Sequence, residues 1–436
     1  MSKRTRRAFL TAVGAAALAG CSGSNPSDSN TTDATNNGTS GATTTPGTET
    51  ATATTTAEST TTASNPDQLG KTIDGFEKTG SWVKLDKYGT LGAASKDVQE
   101  GSKALRMSTK KGQPYVGAYK AMGQGGADFS GKNFSAAVKV KTPQITKLTL
   151  ELYAPDRGHP IKMTRTFTGP TDRWMRVDFG VTGTERDPKL SNVQEMRLVA
   201  RSKGSDSQKV EMLVDDLRVV DRPKKGYVFL TFDDSHITHY SKAFKMMQEY
   251  GFPGVEGVIP QTIYKDGRLD TGQLREMRDA GWDIGSHPYV GSKPLPKYSK
   301  SEQQKKIKQT KQWLDNHGFK DGSRVFITPK NLMGKHTWDL VNEYHDAAFR
   351  FGGCPTGLPM TDPHNMGRIN GESLEAAKRQ VDYAAKYKQA AGLMFHVIGK
   401  EGMSEADFRS LLDYINKQKG VEVTTPTKLL KKQQKW

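Results

Sequence analysis

Gly226-Tyr227-Val228-Phe229-Leu230-Thr231-Phe232-Asp233-Asp234 is the stretch on which the fold turns. It reads as an apolar strand over 227–232 that ends on two adjacent carboxylates. Downstream, apolar strands at 255–259, 282–285, 325–328, 348–351, 367–369, 392–397 and 421–424 alternate with helical periods. The helices fall near 241–250, 272–280, 300–317, 337–344, 373–386 and 404–417. The one near 300–317 opens on a capping box, Ser299 with Glu302, and stops at Gly318. Strand–helix alternation of this kind gives a parallel sheet, here closed or nearly closed into an α/β barrel over 225–436.

In such barrels the carboxyl ends of the strands share one rim. Thr231-Phe232-Asp233-Asp234, Gly285-Ser286-His287-Pro288, Phe326-Ile327-Thr328-Pro329 and Leu393-Met394-Phe395-His396 should therefore converge, although they are spread from 231 to 396. Asp233 and Asp234, being adjacent, point in different directions, which suits a base and a metal ligand. His287 fits a second metal ligand and His396 a proton donor, the set that metal-assisted hydrolysis needs.

Upstream the grammar differs. Between 67 and 222, short alternating runs at 102–107, 135–140, 147–153, 174–179, 195–200 and 209–214 are separated by Gly, Asp and Pro turns, with no helix-length period. That pattern predicts an all-β sandwich. Residues 221–225, Asp-Arg-Pro-Lys-Lys, read as a hinge between the two parts. Residues 22–66 are almost entirely Thr, Ser, Asn, Ala and Gly, without Lys or Arg, so they have little to bury and are expected to form a disordered stalk. Residues 1–21 have a basic head, a short apolar body and small residues before Cys21, the form of an export signal.

Composition limits the alternatives. A chain of 436 residues has room for two to three domains, and two cysteines exclude a disulfide-built scaffold. The sole sustained apolar stretch is short and N-terminal, which excludes a polytopic membrane protein. The net charge of +17 draws the molecule to acidic polymers or anionic headgroups, while nucleic acid is not an expected partner of an exported protein. The lysine runs at 305–311 and 428–435 read as solvated faces. Cys354 reads as a buried free thiol, and no protein partner is legible.

Three resemblances sharpen these readings. The Thr-Phe-Asp-Asp strand end, Gly285-Ser286-His287 closing Ala280-Gly281-Trp282-Asp283-Ile284, and Leu393-x-x-His396, in this order, resemble the polysaccharide deacetylase (NodB homology) family, a carbohydrate esterase group, over 226–427. The resemblance implies a distorted TIM-like barrel that removes acetyl from N-acetylhexosamine polymers. It makes Asp233 the general base, Asp234 and His287 two of three ligands to a divalent metal (zinc, or else cobalt or nickel), and His396 the acid on the leaving amine.

This chain departs from the family at Gly291, four residues after His287, where a second metal histidine is expected. Ile327 stands in place of the Arg that accompanies the base, leaving Lys330 as the local substitute, and Val397 in place of an Asp after the late His. His236, His239 and His336 are the histidines nearest to supply a third ligand. The rival reading is a glycan-binding surface lipoprotein whose barrel has lost activity.

The second resemblance lies in Ile73-Asp74-Gly75-Phe76-Glu77, Gly101–Met107 and Val214–Val219, which look like the jelly-roll modules fused to carbohydrate-active enzymes. It implies glycan binding, or a structural calcium with Glu77 and Asp216 as ligands. Trp82, Tyr115, Tyr153 and Trp174 are the aromatics that could stack on sugars, against the commoner role of strand aromatics as core. Third, Arg6-Arg7 before Phe9-Leu10 resembles a twin-arginine signal and Leu18-Ala19-Gly20-Cys21 a lipobox, which makes Cys21 the lipidated residue. Together they imply an exported protein, lipid-anchored to a membrane and acting on an acidic or N-acetylated surface glycan.

Overall fold

A computed structural model describes residues 69–203 and 208–436. The export signal at 1–21, the lipidation site Cys21 and the stalk at 22–66 lie outside the described residues. Among those described, no helix is long and apolar enough to cross a membrane.

The first part is a sandwich of two six-stranded antiparallel sheets. One has the order Thr90–Ala94, Ala104–Ser108, Glu211–Asp221, Lys132–Thr142, Trp174–Phe179, with Lys71–Asp74 also paired to Glu211–Asp221. The other runs Gly183–Thr184, Pro160–Thr168, Ile145–Tyr153, Glu195–Ser202, Val116–Ala121, Val83–Lys84. Alternate residues fill the space between: Leu148, Leu150 and Leu152 from one sheet, Ala136, Val138 and Val140 from the other, all buried in a single core. The strand expected at 209–214 continues to Asp221, because its register shifts between Asp215 and Arg218 around a left-handed Asp216 (φ 42°). This bulge buries two acidic residues and breaks the period-two signal.

The second part is a closed parallel barrel. Seven strands, Gly226–Asp233, Val255–Val258, Asp283–Ser286, Val325–Ile327, Ala347–Gly352, Met366–Asn370 and Ala390–Phe395, run round it and meet through pairing of the first with the second. Val421–Val423 adds an eighth strand against the amino end of the first. Each expected strand is present within a few residues. On Gly226–Asp233 the pleat divides the chain's apolar run: Val228, Leu230 and Phe232 pack under the helices, while Tyr227 and Phe229 fill the barrel interior. Asp233 lies on that inward face, at its upper end.

Residues 426–433 form a helix that sequence reading did not place, Pro426–Gln433, with Pro at its start and Leu429 buried in the barrel interior, while Lys428 and Lys431 are exposed as expected of a solvated face. The carboxylate of Asp283 accepts from Thr427 N and Oγ1 at 3.0 and 2.6 Å and fixes the helix entry. The hinge at 221–225 is tied to both parts through Arg222. Arg222 donates to Asn133 Oδ1 at 3.0 Å and lies over the Tyr387 ring, and sandwich and barrel fall within one compact unit. Their seam carries polar ties: Arg165 Nη2 donates to Asn365 Oδ1 at 2.7 Å, and Thr361 N to Asp178 Oδ2 at 2.9 Å.

Candidate active site

Asp233, Asp234, His287 and His396 line one cleft of about 410 Å³ at the carboxyl rim of the barrel, together with Arg268 and Tyr289. A larger cavity, about 810 Å³, lies at the seam by Phe129 and Trp436 and contains none of these four.

The chain leaves the first strand through two left-handed residues, Asp234 (φ 78°) and Ser235 (φ 56°). This sharp turn separates the two carboxylates. It is held by Arg268, whose Nη1 donates to the Asp234 carbonyl at 2.6 Å, and by Ser235 Oγ, which accepts from Ile259 N at 3.0 Å. Asp233 turns into the barrel, where both of its oxygens are held by Arg368, Nη1 to Oδ1 at 2.7 Å and Nη2 to Oδ2 at 2.9 Å. Burial pushes the Asp233 carboxyl up, but the charges of Arg368 and His287 and the Arg368 hydrogen bonds outweigh it and hold the pKa below the usual range.

Asp234 points into the cleft toward His287, with Oδ1 3.3 Å from Nε2. Nδ1 of His287 lies 2.9 Å from the carbonyl of Ile327, an acceptor, so the ring donates there and keeps the Nε2 lone pair facing Asp234 when neutral. Burial raises the pKa of Asp234, yet the His287 hydrogen bond and the nearby positive charges win and hold it far below the usual carboxylate range. For His287 burial works downward and is overcome by the Asp234 hydrogen bond and the two carboxylate charges, so its pKa is raised.

His396 stands on the cleft wall, half exposed, with Nδ1 3.2 Å from Glu372 Oε1. The same oxygen accepts from His396 N at 3.3 Å. The Glu372 hydrogen bond, partly offset by burial, raises the His396 pKa.

Several expectations change. The cation on the base is Arg368, not Lys330, whose exposed side chain lines the cleft. The group orienting His396 is Glu372, just after the strand Met366–Asn370. His239 is enclosed, with both ring nitrogens engaged by Glu256 and the His396 carbonyl, so it is not a third ligand. His236 bonds Thr238, His336 is exposed on the helix Lys335–Tyr344, and neither lines the cleft. Among the described residues no three His, Cys, Asp or Glu are grouped to hold a metal ion.

Arg368 and Glu372 were missed by sequence reading, although the rim logic covers them. Met366 and Arg368 share the inward face of their strand, and Glu372 follows its end. Gly392 on the neighbouring strand leaves the necessary room, since a Cβ there would lie 3.3 Å from Arg368 Cγ.

In the sandwich the calcium pair does not form. Asp216 is committed to Arg176 and Arg218, at 2.9 and 2.6 Å, and Glu77 to Ser102 N at 2.8 Å. Two guanidinium charges on one carboxylate leave no reason for a further cation. Of the aromatics, Trp82 is buried against Phe76, Tyr153 is buried beneath Arg197, Tyr115 is bound to Asp86, and Trp174 is partly covered with Lys139 over its ring. Cys354 is buried, with Arg165 Nη1 3.4 Å from its sulfur.

The sequence model of the polysaccharide deacetylase family matches residues 221–349. The putative polysaccharide deacetylase YxkH of Bacillus subtilis (strain 168) is 27% identical over 131 residues, 30% of this chain and 45% of that protein. The chain therefore spans less than half the length of this curated relative. A solved putative polysaccharide deacetylase from Mycobacterium smegmatis is 13% identical, covering 49% of this chain and 92% of its own, with a TM-score of 0.39. The family 11 carbohydrate-binding module of Clostridium thermocellum, solved with a mixed-linked tetrasaccharide, is 14% identical over 35% of this chain and 96% of its own, with a TM-score of 0.27. The match to the polysaccharide deacetylase model thus falls on the first strands of the barrel, while Arg368, Glu372 and His396 lie beyond the matched span.

Proposed function

We propose that the protein removes acetyl groups from N-acetylhexosamine units of a surface polysaccharide, with a divalent cation held by Asp234 and His287. The observation that carries this reading is the arrangement on one cleft of an ionised carboxylate with its arginine, a histidine with its glutamate, and the Asp234–His287 pair.

The pair suits two corners of a zinc-type site. Ligands about 2.0–2.1 Å from a tetrahedral ion lie roughly 3.3 Å apart, close to the Oδ1–Nε2 separation. The Ile327 carbonyl supports His287 as outer-shell acceptors do. Among the described residues no third protein ligand is grouped with them, which leaves water or substrate oxygen to complete the shell. When bound, such an ion polarises the amide carbonyl and acidifies water.

The chain's own groups do the rest. Asp233, kept ionised by Arg368, takes the proton of the attacking water as its oxygen bonds the acetyl carbon. His396, kept protonated by Glu372, gives a proton to the nitrogen as the C–N bond breaks, and acetate and a free amine leave.

Acetate release from N-acetylglucosamine oligomers by the full chain, with zinc, cobalt or nickel added, tests the reading, with Asp233→Asn as the control. Binding of oligomers without release under all three metals would favour the rival binding protein. Export and lipid anchoring through Cys21 belong to the same proposal and rest on residues 1–21 alone. Loss of membrane association in Cys21→Ser tests them.

A further inference from the structure

His239 and Glu256 are both 0% exposed, and the reaction above uses neither. Nδ1 of His239 lies 3.1 and 3.0 Å from the two carboxylate oxygens of Glu256, and Nε2 lies 2.7 Å from the backbone carbonyl of His396. A carbonyl oxygen can only accept, so Nε2 carries a proton and donates it there. The pair sits in an aromatic cluster: the Phe232 ring is 5.3 Å from His239, 5.2 Å from Trp282 and 5.4 Å from Phe395.

A buried histidine–carboxylate pair in such surroundings is a poor source of stability, because desolvation offsets its attraction and apolar residues of similar volume do as well or better. Its outward contact supplies another reason for it. The turn after Ala390–Phe395 is gripped at three points: Glu372 accepts from His396 N, His239 donates to His396 O, and Thr238 Oγ1 accepts from Ile398 N at 3.2 Å. From the peptide so held, the His396 ring meets both Glu372 and the cleft. The helix carrying His239 also begins there as a π-helix, His239–Phe244, an irregularity common at functional sites.

We propose that His239, held by Glu256, is a buried strap that positions His396, making the two positioning residues for proton delivery. The proposal rests on the deacetylase reading for its kinetic consequence, but its geometry can be tested without it.

Two variants separate strap from charge. In Glu256→Gln the side-chain amide can donate to Nδ1 of a neutral His239 while Nε2–H still holds the His396 carbonyl, so the strap survives. In the double variant His239→Phe/Glu256→Leu it is gone, with no unpaired charge left behind. If that variant fails to fold, His239→Asn, able to bond Glu256 but too short to reach His396, replaces it.

Expected is a kcat lowered ~10–100-fold in the strapless variant with KM within about twofold, as for a misplaced catalytic group, and near wild-type values in Glu256→Gln. In histidine-labelled NMR spectra the His396 pKa should fall toward the ordinary ~6.5 in the strapless variant alone. A folded strapless variant with unchanged kcat and unchanged His396 titration, whatever its loss in melting temperature, overturns the proposal. If the wild type releases no acetate, the deacetylase reading fails, and the NMR comparison still decides whether the strap exists.

Discussion

Arg368 grips both oxygens of Asp233 from a strand 135 residues further along the chain, and the two form a charged layer above the apolar interior made by Phe229 and Phe349. The arginine is 0% exposed and the aspartate 5%. Such a pair makes each partner hostage to the other, because removing one leaves a buried charge without compensation.

Arg368→Met should therefore destabilise the fold by about 3–5 kcal/mol, read as a lower denaturant midpoint at pH 7. Burial would then be opposed only by the charges of His287 and His396, and the Asp233 pKa should rise. In the wild type the depressed carboxyl contributes stability above its unfolded pKa of ~3.9, lost as pH falls through the folded value. The variant should lose that contribution at neutral pH, and Asp233→Asn added to it should recover part of the stability.

Glu372→Gln should move the basic limb of the kcat profile to lower pH. The acid must be protonated, so turnover is present below the His396 pKa and lost above it, and Glu372 is what raises that pKa. Gln keeps an acceptor for the His396 amide while removing the charge. An unshifted basic limb would show that another group is the acid.

The barrel was legible because its strands are apolar runs between helical periods, and the rim rule then gathered Asp233, Asp234, His287 and His396 from four separate motifs. Arg368 was not legible, because reading the motif before Pro329 led to Ile327, and the charge had moved to a strand with no motif of its own. In the sandwich, strands 90–94, 116–121 and 160–168 escaped notice, each broken by glycine or by charged and polar residues on its open face. The helix Pro426–Gln433 was hidden by its lysines, since one buried leucine, Leu429, holds it in place.

The sandwich should prove indifferent to calcium. Arg176 and Arg218 already neutralise Asp216, so calcium added to chelator-treated protein should leave the melting temperature unchanged within about 1 °C, whereas a site filled in the native state alone would gain linkage stabilisation. A clear drop on chelation, reversed by calcium, would locate an ion site elsewhere in the chain.

Gly291 offers the sharpest test of the cation site. It lies on the cleft with Asp234 and His287, has a left-handed backbone (φ 57°), and a Cβ added to it would meet nothing nearer than Tyr298 Oη at 3.9 Å. Histidine is among the side chains that tolerate this conformation best, and here it finds open space. Gly291→His should therefore fold, and if its ring reaches the Asp234–His287 pair it completes the three protein ligands a catalytic zinc usually has. Zinc affinity, measured by competition with a chromogenic chelator, should rise about tenfold or more, equivalent to ~1.4 kcal/mol. His287→Ala in the same background should abolish the gain, because the new ligand acts only as part of the cluster. If zinc binds Gly291→His and wild type equally, the ion does not sit between Asp234 and His287 on the side that Gly291 faces.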